Sequence, residues 1–344
     1  MSRPDYAFKT RTHTVRQTDE AGVYRAEPGG LELRLTPDAQ EVPRDLFSEE
    51  MERAVAAWVM ARGGRELNLN GVRRPLAPAE LDRPAHGAVT RLVSIAPSNA
   101  EIVGALGATG LLVGVESSSD FPPQVLTLPR LGPDLHVDLQ ALAALRPDLV
   151  LASLSVPGME RNIAGLERLG VSTLVLAPRT LADIRADILR VGAAIGFADA
   201  AHRVVAGMDA RLEAFRARAA GRAPVPVYLE WWPKPMFTPG RACWSNEMIA
   251  LAGGVNVFGA RSGQSLEVSP QEVAAADPGV IFVAWCGVPF DKLNVERVSR
   301  REGLAGVRAV RNGAVHAVDE CLLGRPGPRV VEGIDCMARF LGSL

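Results

Sequence analysis

Lysine is almost missing from this chain. It occurs only at Lys9, Lys234 and Lys292, while arginine is abundant and the formal net charge is −1. A balance this close to neutral creates no global field for nucleic acid or an anionic membrane, so neither partner is expected. Because arginine carries nearly all the positive charge, one arginine in a loop is weak support for a site. The four cysteines (Cys243, Cys286, Cys321 and Cys336) form no CxxC pair and no zinc-type spacing. No apolar run reaches the length of a membrane span. The opening stretch, MSRPDYAFKTRTHTVRQTDEAG, has no apolar core of a secretory leader. Without export the thiols stay reduced, and together these features predict a cytoplasmic protein. Also missing are GxSxG, Walker A and HExxH. Gly104, Gly107 and Gly110 do not fit GxGxxG, and neither Cys286 nor Cys321 has an evident base as a nucleophile. No enzyme is expected.

What is present is a chain with 47% hydrophobic and 22% charged residues, enough for sizeable cores. From Arg91 onward, buried-type strands alternate with helices: RLVSI at 91–95, Leu112–Val115, then strands at 148–152 and 172–176 separated by helices at 138–145, 158–169 and 180–195. That alternation is the pattern of a parallel sheet covered on both faces. Residues before it differ. Val23–Arg25 and Leu31–Leu35 have strand character around Pro28-Gly29-Gly30. Ser48 or Asp45 could cap a helix through Met60 with Met51, Val55, Trp58 and Val59 as its stripe, and 68–77 is extended.

The centre of the chain is Ala198–Ala219. Val204, Val205, Met208, Leu212 and Phe215 recur at helical spacing, and arginines and acids fill the other positions. At about 1.5 Å per residue it makes a rod of roughly 33 Å, long enough to join two lobes. The flanking segments echo each other. DLQALAALRPDLVLA (138–152) matches SPQEVAAADPGVIFV (269–283), each an N-cap, a short helix, a Pro stop and a buried strand. NAEIVGALG (99–107) likewise matches NEMIALAGG (246–254), with a terminal glycine to close each helix. Two matches in the same order predict two related lobes.

Ligands in open α/β sheets bind where strands end and helices begin. Ser98 stands at such a place and, with Glu101, also has capping-box spacing. The polar loop Glu116–Pro123 follows another strand. Four of the five tryptophans fall between 231 and 285. Trp231 and Trp232 directly follow the strand Val225–Glu230 in a Pro-rich loop, Trp244 lies further along it, and Trp285 ends the strand Val280–Ala284. Such a cluster suits the wall of a large, flat ligand, although any one tryptophan could equally be core. His136, between Asp134 and Asp138, is the one His–carboxylate cluster and a metal-ligating or merely solvated group. Arg325 and Arg329 offer guanidinium forks near the last helix.

With those residues in view, positions from about 91 to 343 resemble the ABC-transporter substrate-binding proteins for cobalamin and iron-siderophore chelates. The resemblance is carried by RLVSIAPSNAEI, VGVESSSDFPP, DLQALAALRPDLVLA, FTPGRACW, LAGGVNVF, VSPQEVAAADPGVIFVAW and GRPGPRVVEGI. It implies two Rossmann-like lobes with parallel sheets, joined by one long helix and clamping the ligand between them. The expected organisation is a small N-terminal α+β unit (1–88), an N-lobe (89–197), the connecting helix (198–220) and a C-lobe (221–344). The implied ligand is cobalamin or another metal chelate, with no separate cofactor. Ser98, Ser118, His136, Ser153, Trp231, Trp232, Trp244, Trp285 and Arg325 are the expected ligand contacts. Ser118, Asp134 and Ser153 stand where cobalamin binders resembling this chain carry aromatics, and Arg325 stands where they aim an arginine at the ligand. The family's two glutamates that dock into an ABC permease correspond by the repeat to Gln140 and Gln271. Neutral Gln would lose charge-assisted pairing, and Glu272 points about 100° away. The alternatives are a cytosolic carrier or sensor not docked to a transporter, or an enzyme acting on a tetrapyrrole-like compound.

Overall fold

A computed structural model describes residues 87–342 throughout and, before them, seven strands and scattered positions between 53 and 85. The chain divides into two compact units, 1–100 with 109–177 and 101–108 with 178–344. The later cut lies at 177/178, ahead of the long helix.

In the first unit, seven short strands from Phe8–Lys9 to Val72–Pro75 pair in chain order. All neighbours are antiparallel except Gln40–Val42 with Glu66–Leu69. The expected strands near 23 and 31 are there, with Val23 opposite Arg34. The Pro28-Gly29-Gly30 turn, the caps Ser48 and Asp45, and the side chains of Met51, Val55 and Trp58 lie outside the described residues. Ala56, Ala57, Val59, Met60, Leu76 and Leu81 share one apolar cluster with Val93, Ile95 and Val150, so the early residues build the same core as the parallel sheet. Asp82 Oδ1 accepts from Val175 N at 2.8 Å. Val175 belongs to an edge strand, whose unpaired N–H groups would otherwise invite pairing with another chain.

Each unit holds a four-stranded parallel sheet. In the first unit the spatial order is Thr173–Leu176, Leu149–Ser153, Leu92–Ser94, Leu112–Val115. In the second it is Gly254–Asn256, Val225–Glu230, Val280–Val283, Val315–Ala317. The first runs 4-3-1-2 and the second 2-1-3-4 when each unit's strands are counted in chain order, so the two orders are the same set of neighbours read from opposite edges. The inner strands Leu149–Ser153 and Val280–Val283 are buried at every residue, as a sheet covered on both faces requires.

The repeated helix–strand segment holds in detail. Asp138 caps the helix Leu139–Ala144 by accepting from Gln140 N at 3.0 Å and Ala141 N at 2.9 Å. Ser269 caps Pro270–Ala276 in a reciprocal box with Glu272. Just past each helix stands a left-handed residue, Arg146 (φ 46°) or Asp277 (φ 39°), and then a proline. Among the described residues these are the two non-glycine positions with positive φ. In the second matching pair, Gly107 (φ 72°) lies just past its helix as expected. The other helix, Ser245–Leu251, is followed by left-handed Gly253 (φ 96°), while Gly254 opens a strand. Ser98 is not a cap: the helix is Pro97–Ala105, and its hydroxyl donates to Asn99 Oδ1 at 3.3 Å.

The helix Ala198–Ala219 spans the expected residues and buries Ala201, Met208, Leu212 and Phe215. It packs on Leu181–Ala194, where a Cβ at Gly192 would lie 2.4 Å from the Ala201 Cβ, so glycine is required for the close approach.

Left-handed backbone costs a residue with a Cβ about 1 kcal/mol. Arg146→Gly should therefore stabilise the protein by roughly 0.5–1 kcal/mol in urea unfolding. Asp277→Gly should instead destabilise it, because the Asp277 carboxylate accepts from Arg308 N at 2.7 Å. Equal effects from the two changes would refute this account of the repeat.

Candidate functional site

In the second unit, the strand Val225–Glu230 delivers the chain to Trp231 at the carboxyl edge of the sheet. The next segment is a hairpin, not an irregular loop: Trp232–Pro233 pairs antiparallel with Met236–Pro239, which pairs in turn with Ser265–Val268. Trp231 N donates to Phe237 O at 2.8 Å. Trp232 is 40% exposed and spends its indole N–H on Lys234 O at 3.0 Å, which closes the turn and leaves the ring face open. Trp231 is half-buried, with its ring 6.4 Å from that of Trp244.

The other two tryptophans behave differently. Trp244 is 2% exposed and donates to Leu323 O at 3.3 Å. Trp285 is 4% exposed and donates to Glu230 Oε1 at 3.0 Å. Both rings are core, with their polar atoms satisfied, so the structure brings only Trp231 and Trp232 together as an accessible pair. Arg325 also departs from expectation. Its guanidinium is buried between Glu101, at 3.0 Å, and Glu320, at 2.9 Å. Arg329 lies 3.5 Å from the same Glu101 oxygen. With its charge met by two carboxylates, Arg325 is held in place by protein groups.

At the carboxyl edge of the first unit's sheet, Glu116 follows its strand into the loop and turns inward. Its carboxylate accepts from Ser118 N at 2.6 Å and Ser119 Oγ at 2.8 Å. Burial raises the Glu116 pKa above 4.5 although the Ser118 N–H and Ser119 hydroxyl pull it down, and Asp134 nearby raises it further. Burial likewise raises Asp134, against the pull of backbone hydrogen bonds. Ser118 is exposed; Ser153 is buried and shares a 2.9 Å hydrogen bond with Ser155. His136 is exposed, and Asp138 is occupied as a helix cap. Among the described residues no group of three or more His, Cys, Asp or Glu side chains is disposed to hold a metal ion.

Several relevant side chains escaped sequence reasoning. Phe121 (40% exposed) follows the first unit's strand Leu112–Val115, and Phe290 (52%) follows Val280–Val283 in the second. Each is an aromatic beside a proline in a polar strand-end loop, which is the signal that could have marked them. Glu230 and Arg301, an ion pair on a fully buried carboxylate, were also missed. A carboxylate closing the otherwise apolar strand VPVYLE was the clue.

Comparison with known proteins places this geometry. The family described as periplasmic binding protein matches residues 92–321. The vitamin B12-binding protein of Vibrio cholerae is 28% identical over 251 residues, covering 73% of this chain and 88% of that protein. An uncharacterized ABC transporter substrate-binding lipoprotein of Bacillus subtilis, YvrC, is 27% identical over 257 residues, with 73% and 79% covered. The solved periplasmic heme-binding protein RhuT from Roseiflexus sp. RS-1 superposes with a TM-score of 0.66 at 28% identity, over 75% of this chain and 99% of that one. These relatives are named as binding proteins, not enzymes. They also overturn the cytoplasmic expectation: periplasmic and lipoprotein relatives point to a location outside the cytoplasm. An export leader is separable from the folded domain, so the opening stretch carries no weight on location.

A raised carboxyl pKa means that the unfolded chain gives up its proton first. Native stability therefore falls as pH rises from the ordinary glutamate value towards the raised one, and the penalty is absent below. Glu116→Gln should therefore gain on the wild type in thermal midpoint as pH rises above the ordinary glutamate value. A midpoint difference that does not move with pH would refute the burial account.

Proposed function

The chain belongs to the periplasmic binding protein family, and from that premise we propose that it is an extracytoplasmic substrate-binding protein for a corrinoid or iron chelate. The observation that carries this is the open Trp232 face beside half-buried Trp231 at the carboxyl edge of the second unit's sheet. A flat macrocycle buries a large apolar face, and an aromatic ring already held by its own N–H···O bond meets it with little further loss of freedom. Phe290 supplies a second exposed ring at that unit's edge, and Phe121 supplies one at the edge of the first unit's own sheet. The vitamin B12 and heme named for the relatives fit this chemistry better than a small hydrophilic solute would.

The same reading assigns permease contact to the exposed first turns that carry Gln140 and Gln271. Glu272 does not substitute for a docking acid, since its carboxylate accepts from Ser269 N at 2.7 Å and pairs with Arg261 at 2.9 Å. Docking here is therefore weak and uncharged. Co-purification with the cognate permease should improve for the Gln140→Glu/Gln271→Glu double variant, and no gain would remove this part of the proposal.

Calorimetric titration with cyanocobalamin, hemin and a ferric hydroxamate tests the ligand class. At least one should bind stoichiometrically, and Trp231→Ala or Trp232→Ala should each weaken it about tenfold, the worth of one aromatic stacking contact. Failure of all three ligands, or affinities indifferent to both tryptophans, would overturn the proposal.

A further inference from the structure

We infer that Glu230 is a positioning residue for ligand binding, holding both ends of the exposed loop 286–300 at the edge where Trp231 and Trp232 emerge. This rests on the binding function proposed above. Glu230 is the last residue of Val225–Glu230 and is 0% exposed. Its Oε1 accepts from Trp285 Nε1 at 3.0 Å and from Arg301 Nη2 at 2.9 Å. Its Oε2 accepts from Tyr228 Oη at 3.1 Å and from Arg301 Nη1. Trp285 is the residue immediately before the loop, and Arg301 is the residue immediately after it. One carboxylate therefore gathers the two ends.

The loop has little else to hold it. From 286 to 297 no residue is buried, and the internal bonds are short local turns such as Val288 N to Trp285 O at 3.1 Å and Lys292 N to Pro289 O at 2.9 Å. Val298 alone is wholly buried, near the far end. At the near end Cys286 N donates to Trp231 O at 3.0 Å, so the loop starts hydrogen-bonded to the first residue of the tryptophan hairpin. A segment with few buried contacts opens readily unless its ends are fixed. A buried carboxylate keeps its donors because releasing any of them leaves charge uncompensated. Burial and the adjacent Glu230 also push the Tyr228 phenol well above its usual range, so it remains a donor to the carboxylate. The loop presents Phe290, 52% exposed, from the strand paired beside the one that ends in Glu230.

The test is hydrogen–deuterium exchange on the ligand-free protein, joined to calorimetric affinity for cyanocobalamin and hemin, in the wild type and in Glu230→Gln. A destabilised control, Ile334→Val, lies in the buried face of the last helix and makes none of the carboxylate's hydrogen bonds. Glu230→Gln cannot hold Arg301 by charge. Exchange in 286–300 should rise about tenfold over that of the strand 225–230, and affinity should fall about tenfold, the equivalent of one hydrogen bond to a charged group. The control should lower the thermal midpoint without singling out the loop. If Glu230→Gln does not fold, Arg301→Gln and Trp285→Phe each release one loop end and carry the same two readouts. Exchange no faster in the loop than in the strand overturns the inference, and so does a loosened loop with unchanged affinity. A wild type that binds neither of these probes nor the ferric hydroxamate defeats the binding function itself, and the positioning role falls with it; a wild type that binds the hydroxamate alone is carried through the same two readouts with that ligand.

Discussion

Parallel pairing is the constraint on which the rest of this structure depends. A strand that runs parallel to its neighbour needs a crossover to return the chain to its starting edge, so every strand of a parallel sheet ends at the same edge. Both four-stranded sheets obey this, and each collects its strand-end loops at one edge. The crossover that precedes the third strand is built alike in both: capped helix, left-handed residue, proline, strand. The proline removes a helical donor, the left-handed residue turns the backbone out of the helix, and the buried strand then enters the sheet. Function is free to vary only in the loops beyond, which explains how one architecture serves named binders of vitamin B12 and of heme.

Much of this was legible from residue patterns, because caps, proline stops and apolar strand runs are local. Asp138, Ser269, Pro147 and Pro278 mark their turns without reference to anything distant, and the helix at 198–219 follows from its own periodicity. The site was harder to read. Trp244 and Trp285 have the same composition and Pro/Gly-rich surroundings as Trp231 and Trp232, yet they are core. The difference is a partner far along the chain, Leu323 for one and Glu230 for the other. Arg325 is a similar case. Its role was drawn from its place in a motif, while one of its two carboxylate partners, Glu101, comes from 224 residues away. No window of sequence contains that information. Location was misjudged for another reason: a leader is not part of the fold, so the fold's relatives are the better guide.

The scarcity of lysine has a structural counterpart. Two arginines of the second unit are set on buried or half-buried carboxylates, Arg301 on Glu230 and Arg325 on Glu101 and Glu320. A planar guanidinium meets both oxygens of a carboxylate at once, which a lysine ammonium cannot do with the same fixed geometry. Breaking such a pair by removing one partner costs on the order of 3–5 kcal/mol, although the intact pair adds little over a well-packed apolar core. Their value is then in placement. Each carboxylate sits on a regular element and each arginine on irregular backbone, so the pair transfers the rigidity of a strand or helix to a loop.

That transfer also accounts for the division of the tryptophans. Trp285 and Trp244 use their N–H groups across the sequence and become part of the frame. Trp232 uses its own two residues away, at Lys234, and its ring stays open. A ligand wall needs an aromatic face that is both accessible and immobile. Local satisfaction of the indole N–H meets both conditions, because the ring is held without being covered. The same logic gives Phe290 its dependence on the loop ends: with no polar atom to anchor the ring, its position is set by whatever holds the backbone on either side.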